Sequence, residues 1–158
     1  MLPIGTIAPV FKLHDGPDSR LNLAALRGKK VILAFYPADW SPVCGSQMNL
    51  YNEMEEYFIR YNAQLLGISV DSRWCHAAYS EQNEFYFPLL ADFEPKGEVS
   101  KLYEAYDSGT GECHRALYVI DEDGIIVWNY LSLIDVNPGA EGILLALENS
   151  ETLKNVEL

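Results

Sequence analysis

The stretch KVILAFYPADWSPVC, Lys30 to Cys44, decides how this chain folds. Its first part, KVILAFY, is a nearly continuous apolar run rich in β-branched and aromatic residues, which predicts a strand buried on both faces of a sheet. After Ser41, apolar residues recur at steps of three and four, which predicts a helix packed on that sheet. These apolar positions are Leu50, Tyr51, Met54, Tyr57, Phe58 and Tyr61. Cys44 therefore lies where a central strand leads into a helix.

The later segments alternate between strand and helix. They are a buried strand at AQLLGISV (63–70), a helix from about Arg73 to Gln82 with Asp71 or Ser72 as its cap, a helix near 96–106, strands ALYVID (116–121) and IIVWNYLS (125–132), and a helix at 142–149. The DEDG segment between the last two strands is a hairpin signal. A parallel βαβ unit, then an antiparallel hairpin and a final helix, predicts an α/β protein with a thioredoxin-like fold: a central mixed β-sheet flanked by helices.

The length and the net charge of the chain limit the classes of function that it can have. With 158 residues and neither repeats nor a linker-like stretch, residues 1–158 are expected to form one thioredoxin-like domain. The net charge of −12, from 23 acidic and 11 basic residues, disfavours binding to nucleic acids and to anionic membranes. The chain shows no signal-peptide pattern, and its apolar runs fall short of the about 18 residues that span a bilayer, so we expect a cytoplasmic protein.

Cys44 is predicted to be a reactive thiol because of its place in the helix. Ser41 suits the N-cap and Pro42 the first helical position, which puts Cys44 at the third. Free backbone N–H groups and the helix dipole stabilise an anion there, so the thiol should ionise more readily than in a peptide. The alternative is a small buried residue that packs the helix onto the sheet. Residues 45–47 supply no second cysteine, so the dithiol motif of disulfide reductases is absent.

The segment PADWSPVC, Pro37 to Cys44, resembles the active-site loop of peroxiredoxins: proline, three residues, threonine or serine, two residues, cysteine. The likeness covers roughly residues 3–147, including IGTIAPVFKL, LLGISVDSRWCHAAYSEQ, FPLLADFEPKGEVSKLYEAY and RALYVIDEDGIIVW. The resemblance implies that Cys44 is the peroxidatic cysteine, that Ser41 and Pro37 line its pocket, and that Arg115 is the activating arginine. The chain is most similar to the one-cysteine branch typified by alkyl hydroperoxide reductase E.

The resemblance also implies an activity and partners. The enzyme would reduce hydrogen peroxide or organic hydroperoxides without a bound cofactor or metal. It would take electrons from an external thiol or a thioredoxin-like reductant. It would self-associate, as a homodimer or a higher homo-oligomer, through the face that bears the active-site loop.

Physical chemistry gives Arg115 and its neighbours a consistent role. When sulfur attacks a peroxide, negative charge moves onto the leaving oxygen, and hydrogen-bond donors aimed at that oxygen lower the barrier. The Arg115 guanidinium, the Ser41 hydroxyl and the N–H groups of Val43 and Cys44 are the expected donors. The alternative for Arg115 is a surface charge paired with a carboxylate. Arg73, expected on the same edge of the sheet, is the second arginine to test.

The sulfenic acid formed at Cys44 must then be reduced by a thiol. Cys75 follows the next parallel strand, so we expect it on the same edge of the sheet as Cys44. Cys113, two residues before Arg115, is the second candidate for a resolving cysteine. Sequence spacing does not show whether Cys75, Cys113 or an external thiol reduces Cys44.

Two other classes of function are open at the level of sequence. Cys75-His76 and Cys113-His114 together supply two sulfurs and two imidazoles, a ligand set that zinc accepts, although the usual spacing between paired ligands is missing. The chain could also be a thioredoxin-fold interaction module without peroxidase activity, with its tyrosines and tryptophans forming a partner surface.

Overall fold

A computed structural model of the chain describes residues 1–156, which form a seven-stranded mixed sheet flanked by helices. Its strands, in the order in which they lie in the sheet, are β2 (Arg20–Asn22), β1 (Lys12–His14), β5 (Leu89–Ala91), β4 (Ala63–Ser69), β3 (Lys30–Phe35), β8 (Ala116–Ile120) and β9 (Ile126–Leu131). The short strands β6 (Tyr106–Asp107) and β7 (Glu112–Cys113) form a separate ribbon. Strands β3, β4 and β5 are parallel, whereas β8 and β9 are antiparallel.

The central βαβ unit and the hairpin agree with the sequence prediction. All six residues of β3 are buried, as the apolar run predicted. The β8–β9 hairpin turns at Gly124, whose N–H donates to the Asp121 carbonyl. Gly124 has a φ of 82°, in the left-handed region that favours glycine. The prediction of an α/β thioredoxin-like fold is confirmed.

The helices differ from the prediction mainly in their bounds. They are α1 (Pro42–Glu53), α2 (Glu55–Arg60), α3 (Arg73–Asn83), α4 (Glu98–Leu102) and α5 (Glu141–Val156), with a 3-10 turn at Leu23–Leu26. The fourth is shorter than expected because Gly97, with a φ of 71°, precedes it and the chain leaves the helix at Tyr103. The fifth extends well past 149. Within residues 1–156 no helix has both the length and the apolarity to cross a membrane.

The helix that follows Ser41 is divided, contrary to the single helix predicted. At Met54 the backbone takes φ −90° and ψ 6°, and its N–H donates to the Tyr51 carbonyl three residues back. The new register after this break leaves Phe58 fully buried but Tyr57 47% exposed. The expectation that Tyr57 belongs to the buried face was wrong.

The sheet separates two apolar clusters. Val31, Leu33 and Phe35 of β3 face one cluster, and the alternate residues Ile32 and Ala34 face the other, as the period of a strand requires. Cys113 belongs to the first cluster, together with side chains of α4 and the N-terminal segment. Cys44 belongs to the second, together with side chains of α1, α2, α3 and α5. The two cysteines are therefore buried on opposite faces of the sheet.

Candidate active site

Cys44 is fully buried in the first turn of α1, just beyond the C-terminal end of the central strand β3. Ser41 occupies the N-cap position, but its hydroxyl donates to the Ala38 carbonyl at 3.1 Å instead of accepting from the first turn. Since Val43 and Cys44 belong to that first turn, their N–H groups have no acceptor within the helix. Two backbone donors are thus left in the turn that carries the sulfur.

Arg115 is the cation of this site, and it is almost completely buried, with 2% of its surface exposed. Its Nη1 lies 3.4 Å from Cys44 Sγ and 2.8 Å from Gln47 Oε1. Its Nε and Nη2 both donate to the Ile134 carbonyl, at 3.1 and 2.7 Å. In residues 1–156 no carboxylate lies within ion-pair distance of this guanidinium. A buried charge is stabilised by the polar groups around it, and the Cys44 sulfur is one of the groups in contact with this guanidinium.

A chain of hydrogen bonds through the neutral side chains of Gln47 and Tyr51 holds Arg115 beside the sulfur. The Gln47 side-chain carbonyl accepts from Arg115, and its amide donates to the Tyr51 hydroxyl at 3.1 Å. Tyr51 donates in turn to the Gly139 carbonyl at 3.0 Å, and burial holds the pKa of its hydroxyl well above the ordinary value. The sequence patterns predicted no role for Gln47. Its spacing from Cys44 and Tyr51, at steps of three and four on one helix face, was the available signal.

The loop before α1 is fixed by a buried polar network. Pro37 is buried, and two residues later the Asp39 carboxylate accepts from the Tyr36 hydroxyl at 2.6 Å and lies 2.7 Å from His76 Nδ1. The Asp39 N–H donates to the Asp71 carboxylate at 2.9 Å. These contacts tie the loop that carries Pro37 to the start of α3 and so determine where α1 begins.

Cys75 lies near this network and is partly buried. Its sulfur and the carboxylate oxygens of Asp39 and Asp71 all lie within 4.8 Å of one another. Burial, and then the negative charges of the two aspartates, raises the pKa of the Cys75 thiol to about 11. The thiol is therefore protonated near neutral pH, where it is a weak nucleophile.

Cys113 lies on the face of the sheet opposite to Cys44. Its sulfur is 3.0 Å from the Ser100 hydroxyl, and burial raises the pKa of its thiol to about 12. A disulfide needs Cα atoms within about 7 Å of each other, so a 44–113 bond would require the sheet or its flanking segments to open. The structure does not bring this candidate resolving cysteine to Cys44.

Two further side chains, Arg73 and Tyr79, remain to be placed relative to the site. Arg73 does not reach Cys44, because its guanidinium contacts His14 at 2.9 Å and stacks on Trp74. Tyr79, which the sequence analysis missed, is 2% exposed, and within residues 1–156 its hydroxyl has no hydrogen-bond partner. Burial, and then the charges of neighbouring groups that include Cys44, raises the pKa of Tyr79 to about 12.

The two Cys-His pairs do not form the zinc ligand set considered above. In residues 1–156 the group of three or more potential ligands that comes together is Asp39, Asp71 and Cys75. The His76 ring instead lies between the Asp39 carboxylate and the Leu90 carbonyl, 3.1 Å from Nε2. Both ring nitrogens thus face oxygen acceptors within the fold.

Similarity to known proteins agrees with this geometry. Residues 4–129 match the model of the AhpC/TSA family. The chain belongs to this family and is a peroxiredoxin. Alkyl hydroperoxide reductase E of Mycobacterium tuberculosis is 34% identical over 127 residues, which cover 80% of this chain and 83% of that protein. The earlier inference of a peroxiredoxin is confirmed, and with it an oxidoreductase that reduces peroxides with thiols.

Solved peroxiredoxin structures share the whole fold. AhpC of Enterococcus faecalis superposes with a TM-score of 0.89 at 26% identity, covering 98% of this chain and 96% of that one. The reduced 2-Cys peroxiredoxin of Plasmodium vivax gives a TM-score of 0.88 at 27% identity, covering 96% of this chain and 83% of that one. The peroxiredoxin fold thus extends over almost the entire chain, including β9 and α5.

Proposed function

We propose that Cys44 is the peroxidatic residue of this peroxiredoxin. Its sulfur forms a bond to one oxygen of hydrogen peroxide or an organic hydroperoxide, and the O–O bond breaks. The leaving oxygen takes the electron pair and a proton and departs as water or an alcohol, while Cys44 becomes a sulfenic acid. The observation that carries this proposal is the 3.4 Å contact between Cys44 Sγ and a buried guanidinium that has no carboxylate partner in the described residues.

The remaining residues act by placing donors around the leaving oxygen. Arg115 and the N–H groups of Val43 and Cys44 stabilise the charge that develops there, as donors do in an oxyanion hole. Ser41 and Pro37 form the wall of the peroxide pocket. Gln47 is a positioning residue, because it acts through Arg115.

An external thiol or a thioredoxin-like protein reduces the sulfenic acid in this proposal. Its thiol displaces water from Cys44 to give a mixed disulfide, and a second thiol releases Cys44 with formation of the reductant's disulfide. The support is that Cys113 lies across the sheet and that Cys75, with its pKa raised to about 11, is protonated at neutral pH. Of these two cysteines, Cys75 is the better candidate for attack on the Cys44 sulfenic acid, because it is only partly buried.

We also propose self-association, as a homodimer or a higher homo-oligomer in the cytoplasm. Strand β9 forms one edge of the sheet, and Leu131 on it and Leu133 and Ile134 just after it are more than half exposed. Because the Ile134 carbonyl holds Arg115, this apolar surface adjoins the active site. Sedimentation of the wild type and of a Leu133→Asp variant tests the proposal: the variant should be smaller, and equal sizes would contradict it.

The activity is tested by peroxide consumption with dithiothreitol as reductant. Wild type and Cys75→Ser should both consume hydrogen peroxide and cumene hydroperoxide, whereas Cys44→Ser should fall to the rate without enzyme. Full activity of the Cys44→Ser variant would refute the proposal. Loss of activity in Cys75→Ser, with dithiothreitol present, would assign the resolving role to Cys75.

A further inference from the structure

A pocket of about 340 Å³ beside β1 and the start of α3 concentrates positive charge on an acidic protein. We call it the His14 pocket. Its basic and aromatic lining residues are Lys12, His14, Arg20, Arg73, Trp74 and Phe93. These residues carry none of the peroxidase roles described above. The pocket therefore needs an explanation of its own.

Two guanidinium groups converge on one imidazole in this pocket. Arg73 Nη1 lies 2.9 Å from His14 Nε2, and Arg20 Nε lies 3.4 Å from the same nitrogen. Partial burial, and then the charges of Arg20 and Arg73, lowers the pKa of His14, which favours the neutral ring. A neutral ring nitrogen has one lone pair and accepts one good hydrogen bond, and each guanidinium carries five N–H donors. Within residues 1–156, most of these donors have no acceptor.

Carboxylates do not neutralise the arginines, although the chain contains 23 acidic residues. In residues 1–156, neither Arg20 nor Arg73 forms an ion pair. The nearby Asp15 carboxylate accepts from the Ser19 hydroxyl at 2.6 Å. Two like charges held this close repel each other, and a bound anion would convert that repulsion into attraction. The planar guanidinium is suited to bidentate contact with a carboxylate or phosphate.

Apart from Ser72 and the Glu94 carboxylate, the rest of the pocket is apolar and aromatic. Trp74 is 62% exposed, and the Arg73 guanidinium lies 5.3 Å from the centre of its ring. Phe93 is 54% exposed, while Leu13 and Ala91 supply aliphatic surface. Large exposed aromatic side chains beside unpaired cations provide surface on which a planar group can stack.

We propose that the His14 pocket binds an anion, a carboxylate or a phosphate, attached to a flat aromatic or apolar group. The oxyanion bridges Arg73 and Arg20, and the planar group packs between Trp74 and Phe93. Arg73, which the sequence analysis ranked second as an activator of Cys44, has its function here. This site is independent of peroxide reduction, so its test needs no turnover.

Calorimetric titration of the full chain tests the proposal with four probes: phenyl phosphate, benzoate, inorganic phosphate and benzyl alcohol. We expect saturable binding of phenyl phosphate or benzoate that weakens with salt, and weaker binding of the other two. Tighter binding of phenyl phosphate than of benzoate would favour a phosphate ligand, and the reverse a carboxylate. Equal binding of benzyl alcohol, or no binding of either aromatic anion, would overturn the proposal. Equal binding of inorganic phosphate would overturn the role of the aromatic surface.

Arg73→Gln should weaken the tighter aromatic anion by about tenfold, the effect of losing one charge-assisted hydrogen bond. Arg60→Gln is the matched control, because Arg60 also stacks on an aromatic ring, that of Tyr57 at 5.3 Å, but lies outside the pocket. Arg20→Gln, on an exposed residue of β2, supplies a second variant should Arg73→Gln fold poorly. Unchanged affinity in a folded Arg73→Gln or Arg20→Gln protein would contradict the assignment.

Discussion

Cys44 and Cys113 are both buried, at 0% and 1% exposure, yet the two faces of the sheet give them different surroundings. Cys44 contacts a guanidinium and lies in the first turn of a twelve-residue helix. Cys113 contacts the neutral Ser100 hydroxyl, which also donates to the buried Asp92 carboxylate at 2.6 Å. One thiol has a cation beside it, and the other lies close to a carboxylate.

The comparison shows that burial alone does not decide whether a cysteine reacts. Desolvation disfavours a thiolate, and only a nearby cation or a set of backbone donors reverses that preference. The charges that act on the Cys113 thiol come from Asp92, Asp71 and Glu112, and they disfavour a thiolate further. On the Cys44 side of the sheet, the buried Arg115 guanidinium has no carboxylate partner in the described residues. This arrangement costs stability unless the sulfur supplies the negative charge.

The largest expected effect is on the reaction rate of Cys44. Arg115→Met should slow its oxidation by hydrogen peroxide by about a hundredfold, the typical effect of removing one preorganised donor. Stopped-flow measurement of the second-order rate constant checks this result. Arg60→Met, at an exposed arginine, is the control and should react like the wild type. If the Arg115→Met protein reacted as fast as the wild type, the guanidinium would not explain why Cys44 and Cys113 differ in reactivity.

On the Cys113 face, the expected effect is on stability and not on rate. Ser100→Ala deletes a fully buried hydroxyl and leaves the Asp92 carboxylate with one bond fewer. The free energy of unfolding should fall by about 1–3 kcal/mol, the cost of an unpaired buried partner. Urea unfolding measures this loss, and the peroxide rate constant should stay unchanged. A slower reaction at unchanged stability would mean that this face contributes to the active site.

The Cys113 thiol should also make stability depend on pH. Its pKa is about 12 in the folded chain against an ordinary 9.0, so the unfolded thiol ionises first and the stabilisation is lost as pH rises above 9.0. Between pH 9.0 and 10.0 the wild type should lose about 1 kcal/mol more than Cys113→Ala, because the tyrosines that begin to ionise over this range are the same in both proteins. Equal pH slopes in urea unfolding would show that the folded thiol titrates normally.

The smallest expected effect is on stability, at Tyr79, which packs in the same apolar cluster as Cys44. Its buried hydroxyl has no partner in the described residues, so Tyr79→Phe should raise the free energy of unfolding by up to about 1 kcal/mol. Tyr51→Phe is the matched comparison and should be destabilising, because the Tyr51 hydroxyl bonds to Gln47 and to the Gly139 carbonyl. A destabilised Tyr79→Phe protein would indicate that the hydroxyl finds a partner in solution.

Local patterns predicted the framework around Cys44. The apolar run of β3, a cap at Asp71 or Ser72 and the position of Cys44 in its helix were predicted from neighbouring residues, and the structure places the cap at Ser72. The short strands β1, β2 and β5 were missed, because three residues carry little periodicity. The bend at Met54 was missed because the apolar pattern continues through it.

Sequence spacing could not predict contacts between residues that are far apart in the chain. Arg115 and Cys44 are 71 positions apart, and the likeness to peroxiredoxins, not periodicity, suggested that they act together. The Ile134 carbonyl that fixes Arg115 is a backbone group, so no side chain marked it in advance. Cys113 lies on β7 of the separate ribbon, so no pattern within the strands of the main sheet could predict that it packs on the face opposite to Cys44.

The central claim is that the guanidinium and the free helix N–H groups make Cys44, and not the other cysteines, the sulfur that peroxide attacks. Trapping with dimedone after one equivalent of hydrogen peroxide, followed by peptide mass mapping, tests it most directly. The expected result is a sulfenic acid adduct at Cys44 alone, and its loss over the same interval in Arg115→Met. A comparable adduct at Cys75 or Cys113, or an unlabelled Cys44 in the wild type, would contradict the claim.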